Sequence, residues 1–126
     1  MEIYIATDLV RVGNGEVYNA VYAFRSMTSV RSYEKFCMAS GVDHRIVVTT
    51  AEVSCGFSTV NVVTEMETSG DLAKYRATKV FESWDDARGH VESVREEQPG
   101  IKAEHESARI QSRFTPGILH AGWAEL

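Results

Sequence analysis

The chain has 126 residues, of which 44% are hydrophobic and 25% charged, and this predicts one globular domain spanning residues 1–126. A net charge of −5 without any Lys/Arg run argues against nucleic acid as a partner. The sequence begins without a signal-peptide pattern and has no stretch apolar enough for a membrane span, so we expect a cytoplasmic protein without a membrane partner.

The first part of the chain predicts a β-ribbon and then a helix. Residues 2–12 and 17–24 alternate as strands do, and the Gly-Asn-Gly of residues 13–15 between them is a hairpin signal. Apolar residues then recur at helical spacing up to Gly41, which is a typical helix stop. We therefore predict a hairpin followed by a helix over residues 29–40.

The remainder predicts a long strand, a returning strand, a second helix and a last strand. Residues 46–63 read as one strand bent at Gly56, and residues 74–81 return after a turn. Ser83 begins the second helix, and residues 102–112 form a polar strand. The apolar face of the second helix is marked at 3.6-residue spacing by Trp84, Ala87, Val91 and Val94.

This order of elements predicts a ferredoxin-like fold. After the ribbon strand the chain runs β-α-β-β-α-β, an antiparallel sheet with two helices on one face. The open face would be covered by further copies of the chain, so we expect a homo-oligomer. Residues 118–123 are expected to form a short strand or an oligomer contact, and no internal repeat is predicted.

The sequence carries no familiar catalytic or metal-binding motif. The histidines have no zinc-site spacing, and neither Cys37 nor Cys55 lies in the context of a nucleophile, so we predict no metal and no cofactor. Glu67 and Asp71 belong to an acidic patch that is either a solvated turn or a set of ligand-orienting carboxylates. Gln111 is either a surface residue or an amide that reads an adenine edge or an amino-acid head group.

Two short strings resemble a known family. Val21-Tyr22-Ala23-Phe24-Arg25-Ser26 resembles the V-x-A-F-R-S that ends the first core strand of phage-encoded S-adenosylmethionine hydrolases, enzymes since reinterpreted as lyases. Gln111-Ser112, followed by Gly117-Ile118-Leu119, is similar to their C-terminal Gln-Ser/Thr…Gly-aliphatic pattern. The resemblance spans residues 17–119, and its identities are concentrated in these two strings.

The resemblance implies a ferredoxin-like, PII-like domain that assembles as a trimer with sites between subunits. It implies that S-adenosylmethionine is cleaved to methylthioadenosine and homoserine lactone, by attack of the substrate carboxylate on its own γ-carbon in a dehydrated site. The biological effect would be depletion of the methyl donor of host defence systems, in the host cytoplasm if the chain is phage-encoded.

The functional positions of the family are carried over residue by residue. Gln111 matches the family Gln, and Glu67 or Asp71 would have to replace an important family Glu, because the sequence has Lys74-Tyr75-Arg76 at that place. By position, the substrate-binding residues are Phe24, Arg25 and Ser26.

Two alternatives stay open beside the lyase. One is a non-catalytic PII-like or ferredoxin-like oligomer that binds a nucleotide-type ligand or a protein partner. The other is a dimeric α+β barrel enzyme acting on an apolar substrate, with a pocket lined by Tyr18, Tyr22, Tyr33 and Phe57.

Overall fold

A computed structural model of the protein describes residues 1–114, which form six strands and two helices. The elements are β1 (Glu2–Val12), β2 (Gly15–Phe24), α1 (Met27–Ala39), β3 (His44–Glu52), β4 (Thr59–Ser69), β5 (Leu72–Phe81), α2 (Trp84–Glu97) and β6 (Ile101–Gln111). The strands form one sheet in the order β3-β1-β2-β6-β4-β5. Neighbouring strands are antiparallel except β2 and β6, which run parallel. The strand expected at residues 118–123 lies outside the described residues.

The predicted hairpin and the second helix start are confirmed. Val12 pairs with Gly15, and Gly13 supplies the positive φ (60°) that a two-residue hairpin loop needs. Ser83 is the N-cap of α2, and its hydroxyl accepts a hydrogen bond from the Asp86 backbone N–H at 3.2 Å. The first helix begins earlier than predicted, because Ser26 is its N-cap.

The single bent strand predicted over residues 46–63 is wrong. β3 lies at one edge of the sheet, whereas β4 lies in the other half between β6 and β5. The chain leaves β3 through Val53, whose backbone N–H donates to the Met1 carbonyl at 2.9 Å, and Gly56 has a φ of 97°. Gly56 therefore belongs to a loop that separates two strands, and not to a bulge within one strand.

The predicted ferredoxin-like, PII-like fold with an antiparallel βαββαβ sheet is also wrong. Three strands, and not two, lie between the helices, and the mixed six-stranded sheet curls until it is nearly a barrel. The helices pack outside the curled sheet, α1 through Val30 and Tyr33 and α2 through Ala87 and Val91. Inside it, the two halves of the sheet bury a shared apolar core of Ile3, Ile5, Val21, Ala23, Val53, Val60, Val62, Ala108 and Ile110.

The chain consists of two ββαβ units, contrary to the expectation that it has no repeat. Each unit places its last strand beside its first, as β3-β1-β2 and as β6-β4-β5. Equivalent residues differ by a constant 57, as the helix N-caps do (26 to 83). Identical residues at this offset include the pairs Thr7/Thr64, Gly13/Gly70, Tyr18/Tyr75, Ala20/Ala77, Phe24/Phe81, Arg31/Arg88 and Ala51/Ala108.

A backbone hydrogen bond recurs at the same offset. The Val53 N–H donates to the Met1 carbonyl at 2.9 Å, and the Ile110 N–H donates to the Ser58 carbonyl at 2.8 Å. The similarity of the halves is therefore one of three-dimensional structure as well as of residue identity. It allows every side chain in one half to be compared with its equivalent in the other.

Candidate functional site

The two strings that carry the family resemblance meet in space. β2 and β6 pair only where Ala23 lies opposite Ile110 and Phe24 opposite Gln111. Just beyond, the Arg25 backbone N–H donates to the Gln111 carbonyl at 3.0 Å. Gln111 and residues 24–26, which we assigned to catalysis and substrate binding, therefore lie side by side within one chain.

The side chains of these strings differ in what they contact. Phe24 is fully buried against Tyr33 and Phe114, and the Ser26 hydroxyl accepts a hydrogen bond from the backbone of the first turn of α1. Arg25 is exposed, with its Nη1 2.7 Å from the Met1 sulfur. Of the three predicted substrate-binding residues, Arg25 is the most exposed, Ser26 is partly buried and Phe24 is fully buried.

Glu67 and Asp71 do not approach Gln111 within the chain. Glu67 pairs with Ile101, at the start of β6, whereas Gln111 ends the same strand. Ten residue steps (101 to 111) at about 3.3 Å each separate these ends by roughly 33 Å. Asp71 lies farther out, in the exposed turn between β4 and β5.

A carboxylate that the sequence did not single out lies nearer to Gln111. β2 and β6 diverge after their two paired positions and leave a cleft of about 210 Å³, lined by Tyr22, Glu106 and Gln111 among others. The Glu106 carboxylate accepts a hydrogen bond from the Tyr18 hydroxyl at 2.6 Å. Burial raises the pKa of Tyr18, and the hydrogen bond to Glu106 raises it further, so the Tyr18 hydroxyl remains a donor at neutral pH.

A second cavity, of about 540 Å³, lies between α2 and β6. Its wall carries three cationic side chains, from Arg88, Arg95 and Lys102, and one carboxylate, from Glu104. In a chain whose net charge is −5, this is a locally positive surface. We call it the α2–β6 groove, and its other lining residues are Thr68, Val91, Pro99, Ile101, Ala103 and His105.

Each of the three cations of the α2–β6 groove forms a surface ion pair. Arg95 contacts Glu92 at 3.4 Å and Lys102 contacts Glu104 at 3.2 Å, with all four side chains substantially exposed. Arg88 lies 3.6 Å from Glu92. Exposed pairs of this kind are weak, so an anionic ligand can compete for these side chains.

An exposed tryptophan stands beside the groove. Trp84 is 58% exposed, although the helical pattern placed it on the apolar face of α2. The Arg88 guanidinium lies 5.9 Å from its ring centroid, and the His105 ring lies 5.7 Å from it. These two contacts hold the indole as a flat surface that remains open to solvent.

Hydrogen bonds fix the orientation and tautomer of His105. The Asn61 amide donates to the Glu82 carbonyl at 3.3 Å, and its oxygen accepts from the Ser107 hydroxyl at 2.9 Å. That oxygen lies 3.0 Å from His105 Nε2, which therefore carries a hydrogen and donates. Burial and the nearby Arg88 lower the pKa of His105, so the neutral ring presents Nδ1 as an acceptor.

The first half of the chain contains a buried polar cluster that the sequence did not reveal. Asp8 is fully buried, and its carboxylate accepts hydrogen bonds from Tyr33 at 2.5 Å and Asn19 at 3.0 Å. His44 Nδ1 lies 2.7 Å from the other carboxylate oxygen, and Cys37 is adjacent. These residues lie on β1, β2, α1 and β3, so no local spacing of residues in the sequence could indicate the cluster.

Comparison of the chain with protein-family models, curated proteins and solved structures finds no match. Neither helix within residues 1–114 has the length and apolar character needed to cross a membrane. A functional assignment must therefore be argued from the clefts and clusters of the molecule itself.

Proposed function

We propose that the protein is a non-catalytic binding protein for a nucleotide-type ligand, a flat aromatic ring that carries an anionic group. The site is the α2–β6 groove. The observation that carries the proposal is Trp84, which is exposed and contacts Arg88 and His105 at the edge of a cation-lined cavity.

Each part of such a ligand has a counterpart in the groove. Stacking of a base on an aromatic side chain contributes about 1–3 kcal/mol, and Trp84 is 58% exposed. A phosphate or carboxylate group would be bound by the guanidinium groups of Arg88 and Arg95. His105 Nδ1 can accept a hydrogen bond from an amino group of the ring.

The size of the groove and the repeat both support this assignment. A cavity of about 540 Å³ lies within the usual range of small-molecule sites, roughly 300–1,000 Å³. In the first half of the chain, the positions equivalent to Trp84 and His105 are Met27 and Val48. Trp84 and His105 therefore belong to the second unit alone and are not a requirement of the shared fold, whereas Arg88 and Lys102 have cationic equivalents in Arg31 and Arg45.

Tryptophan fluorescence tests the proposal directly. The chain has two tryptophans, Trp84 and Trp123, so Trp123→Phe leaves Trp84 as the single reporter. Titration with ATP and AMP should quench its fluorescence to saturation, and inorganic phosphate alone should not. Quenching by ATP should be lost in Arg88→Ala and retained in Arg31→Ala, the matched exposed arginine of the first half. Equal quenching in both variants, or none in the parent, would refute the site.

We propose cleavage of S-adenosylmethionine in the cleft between β2 and β6 as a second candidate function. Two observations favour it: the strings that resemble the phage enzymes adjoin there, and Glu106 places a carboxylate in the same cleft as Gln111. A carboxylate beside aromatic rings suits a sulfonium cation, whose charge disappears as the thioether leaves.

The two candidates are separated by one incubation. The purified protein is mixed with S-adenosylmethionine, and methylthioadenosine is followed by liquid chromatography against a protein-free control. Product that disappears in Gln111→Ala and Glu106→Gln, but persists in Arg88→Ala, would establish the lyase. No product, together with Trp84 quenching by nucleotides, would leave the binding protein.

A further inference from the structure

The Asp8 cluster buries a carboxylate without a permanently charged partner. Asp8 is fully buried, and the side chains that contact it are those of Asn19, Tyr33, Cys37 and His44. Within residues 1–114, no Lys or Arg forms an ion pair with it. Burial of an ionised carboxylate is costly unless a cation compensates it, and a metal ion is one such cation.

We propose that Asp8, Cys37 and His44 bind a first-row divalent cation of the Zn²⁺ class. The three side chains offer one carboxylate oxygen, one sulfur and one imidazole nitrogen, which is a donor set that zinc accepts. Their donor atoms all lie within 4.8 Å of one another. Three protein ligands leave a fourth position open.

The distances between donors fit this assignment. Cys37 Sγ lies 3.9 Å from one Asp8 oxygen, and His44 Nδ1 lies 2.7 Å from the other. A tetrahedral zinc with bonds of about 2.0–2.3 Å places neighbouring donor atoms roughly 3.3–3.7 Å apart. Shifts of less than about 1 Å, which side-chain rotations can supply, would bring the donors to these separations.

The residues around Asp8 orient its carboxylate and leave a route by which a metal ion could enter. The Tyr33 hydroxyl and the Asn19 amide both donate to the same Asp8 oxygen, which is the kind of outer contact that holds a metal ligand in place. The His44 side chain is 13% exposed at the beginning of β3, so the cluster reaches solvent on that side. Burial raises the pKa of the Cys37 thiol to about 11, so the ion would displace a thiol proton on binding.

The second half of the chain is an internal comparison. Asp8 corresponds to Glu65, which is buried as well and contacts His90 at 2.9 Å. The equivalents of Cys37 and His44, however, are Val94 and Ile101. Both units keep the buried acid with one histidine beside it, but only the first unit adds a sulfur donor.

Cobalt spectroscopy of the Cys55→Ser protein tests the site, because Cys37 is then the only thiol in the chain. Titration with Co²⁺ should produce a near-ultraviolet thiolate-to-cobalt charge-transfer band that saturates at one equivalent. Zn²⁺ should abolish the band and raise the melting temperature. Absence of the band, or Co²⁺ binding without thiolate coordination, would overturn the proposal. This test needs no variant of Cys37, so it does not depend on whether such a variant folds.

Two matched variants locate the ion. In the Cys55→Ser background, His44→Asn should weaken Co²⁺ binding at least tenfold, whereas His90→Asn should leave it unchanged. An equal loss in both variants, or no loss in either, would place the ion elsewhere and refute the assignment. Because the α2–β6 groove shares no residue with this cluster, nucleotide binding and cobalt binding can succeed or fail independently.

Discussion

The same substitution at two equivalent positions should change stability in opposite directions. Thr7 and Thr64 are both fully buried, and they occupy matching places on β1 and β4. The Thr7 hydroxyl lies 3.1 Å from the Thr78 hydroxyl. Within residues 1–114, the Thr64 hydroxyl has no hydrogen-bond partner, and the residue equivalent to Thr78 is Val21, which cannot supply one.

The magnitudes follow from these contacts. Burial of an unsatisfied hydroxyl costs about 1–3 kcal/mol, so Thr64→Val, which replaces the hydroxyl with a methyl group, should stabilise the protein by about 1 kcal/mol. Thr7→Val removes one made hydrogen bond and should destabilise it by about 0.5–1.5 kcal/mol. The loss at Thr7 is limited because Thr78 keeps a 2.8 Å contact with the Tyr75 hydroxyl.

Urea unfolding of the two single variants and the parent measures both effects, provided the slope with urea is unchanged. The double variant is expected to depart from the sum of the single changes, because Thr78, which contacts Thr7, also lies directly opposite Thr64 on the paired strands β4 and β5. If Thr64→Val were destabilising, or if both variants changed stability in the same direction, the assigned difference in hydrogen bonding between the two hydroxyls would be refuted.

Three further predictions concern the core, a close backbone contact and the pH dependence of a loop carboxylate. Phe24→Ala should lower the free energy of unfolding in urea by about 3–5 kcal/mol, because Phe24 is fully buried. Phe57→Ala, at a side chain that is 39% exposed, should change it by less than about 0.5 kcal/mol. Comparable values for the two variants would mean that Phe24 does not belong to the core. Gly15→Ala should destabilise the protein by about 1–3 kcal/mol, because the new Cβ would lie 2.9 Å from a backbone oxygen of β5. Gly89→Ala, in open space on α2, should stabilise the protein by about 0.5–1 kcal/mol. The reverse order of stabilities would contradict this packing. The pKa of Glu82 is lowered, chiefly by a backbone N–H that donates to it, so its stabilisation is present above the ordinary value of 4.5 and is lost as the pH falls through the lowered pKa. The melting temperature of Glu82→Gln should therefore lie below that of the parent at neutral pH and converge with it in acid, and a constant gap would exclude this role.

The sequence was sufficient for the local features of the fold but not for its topology. The hairpin at Gly13 and the N-cap at Ser83 depend on neighbouring residues and were predicted from them. Residues 46–63 were joined into one strand because their β-branched pattern indicates extended chain without indicating direction. A glycine between two apolar runs suits a bulge as well as a loop, and only the observed φ of Gly56 and the place of β4 in the sheet distinguish them.

The candidate sites show the same limit. Gln111 lies beside residues 24–26, whereas Glu67, which was assigned to the same predicted site, lies at the other end of β6. Trp84, by contrast, fell on the apolar face by periodicity, but it is the first residue of α2 and is 58% exposed in the structure. The buried Asp8 cluster depends on contacts between residues distant in sequence, which no spacing pattern can report.

The two-unit architecture has an evolutionary consequence. A chain built this way is the expected descendant of a half-length ancestor that paired with itself, in which both junctions between units would have been alike. In the present chain, β2 pairs with β6, but the equivalent strands β5 and β3 are the two edges of the sheet. Across that seam the Ser54 N–H still donates to the Glu82 carboxylate at 2.6 Å. After such a fusion each copy is free to diverge, as the Cys37/Val94 and Trp84/Met27 pairs have done.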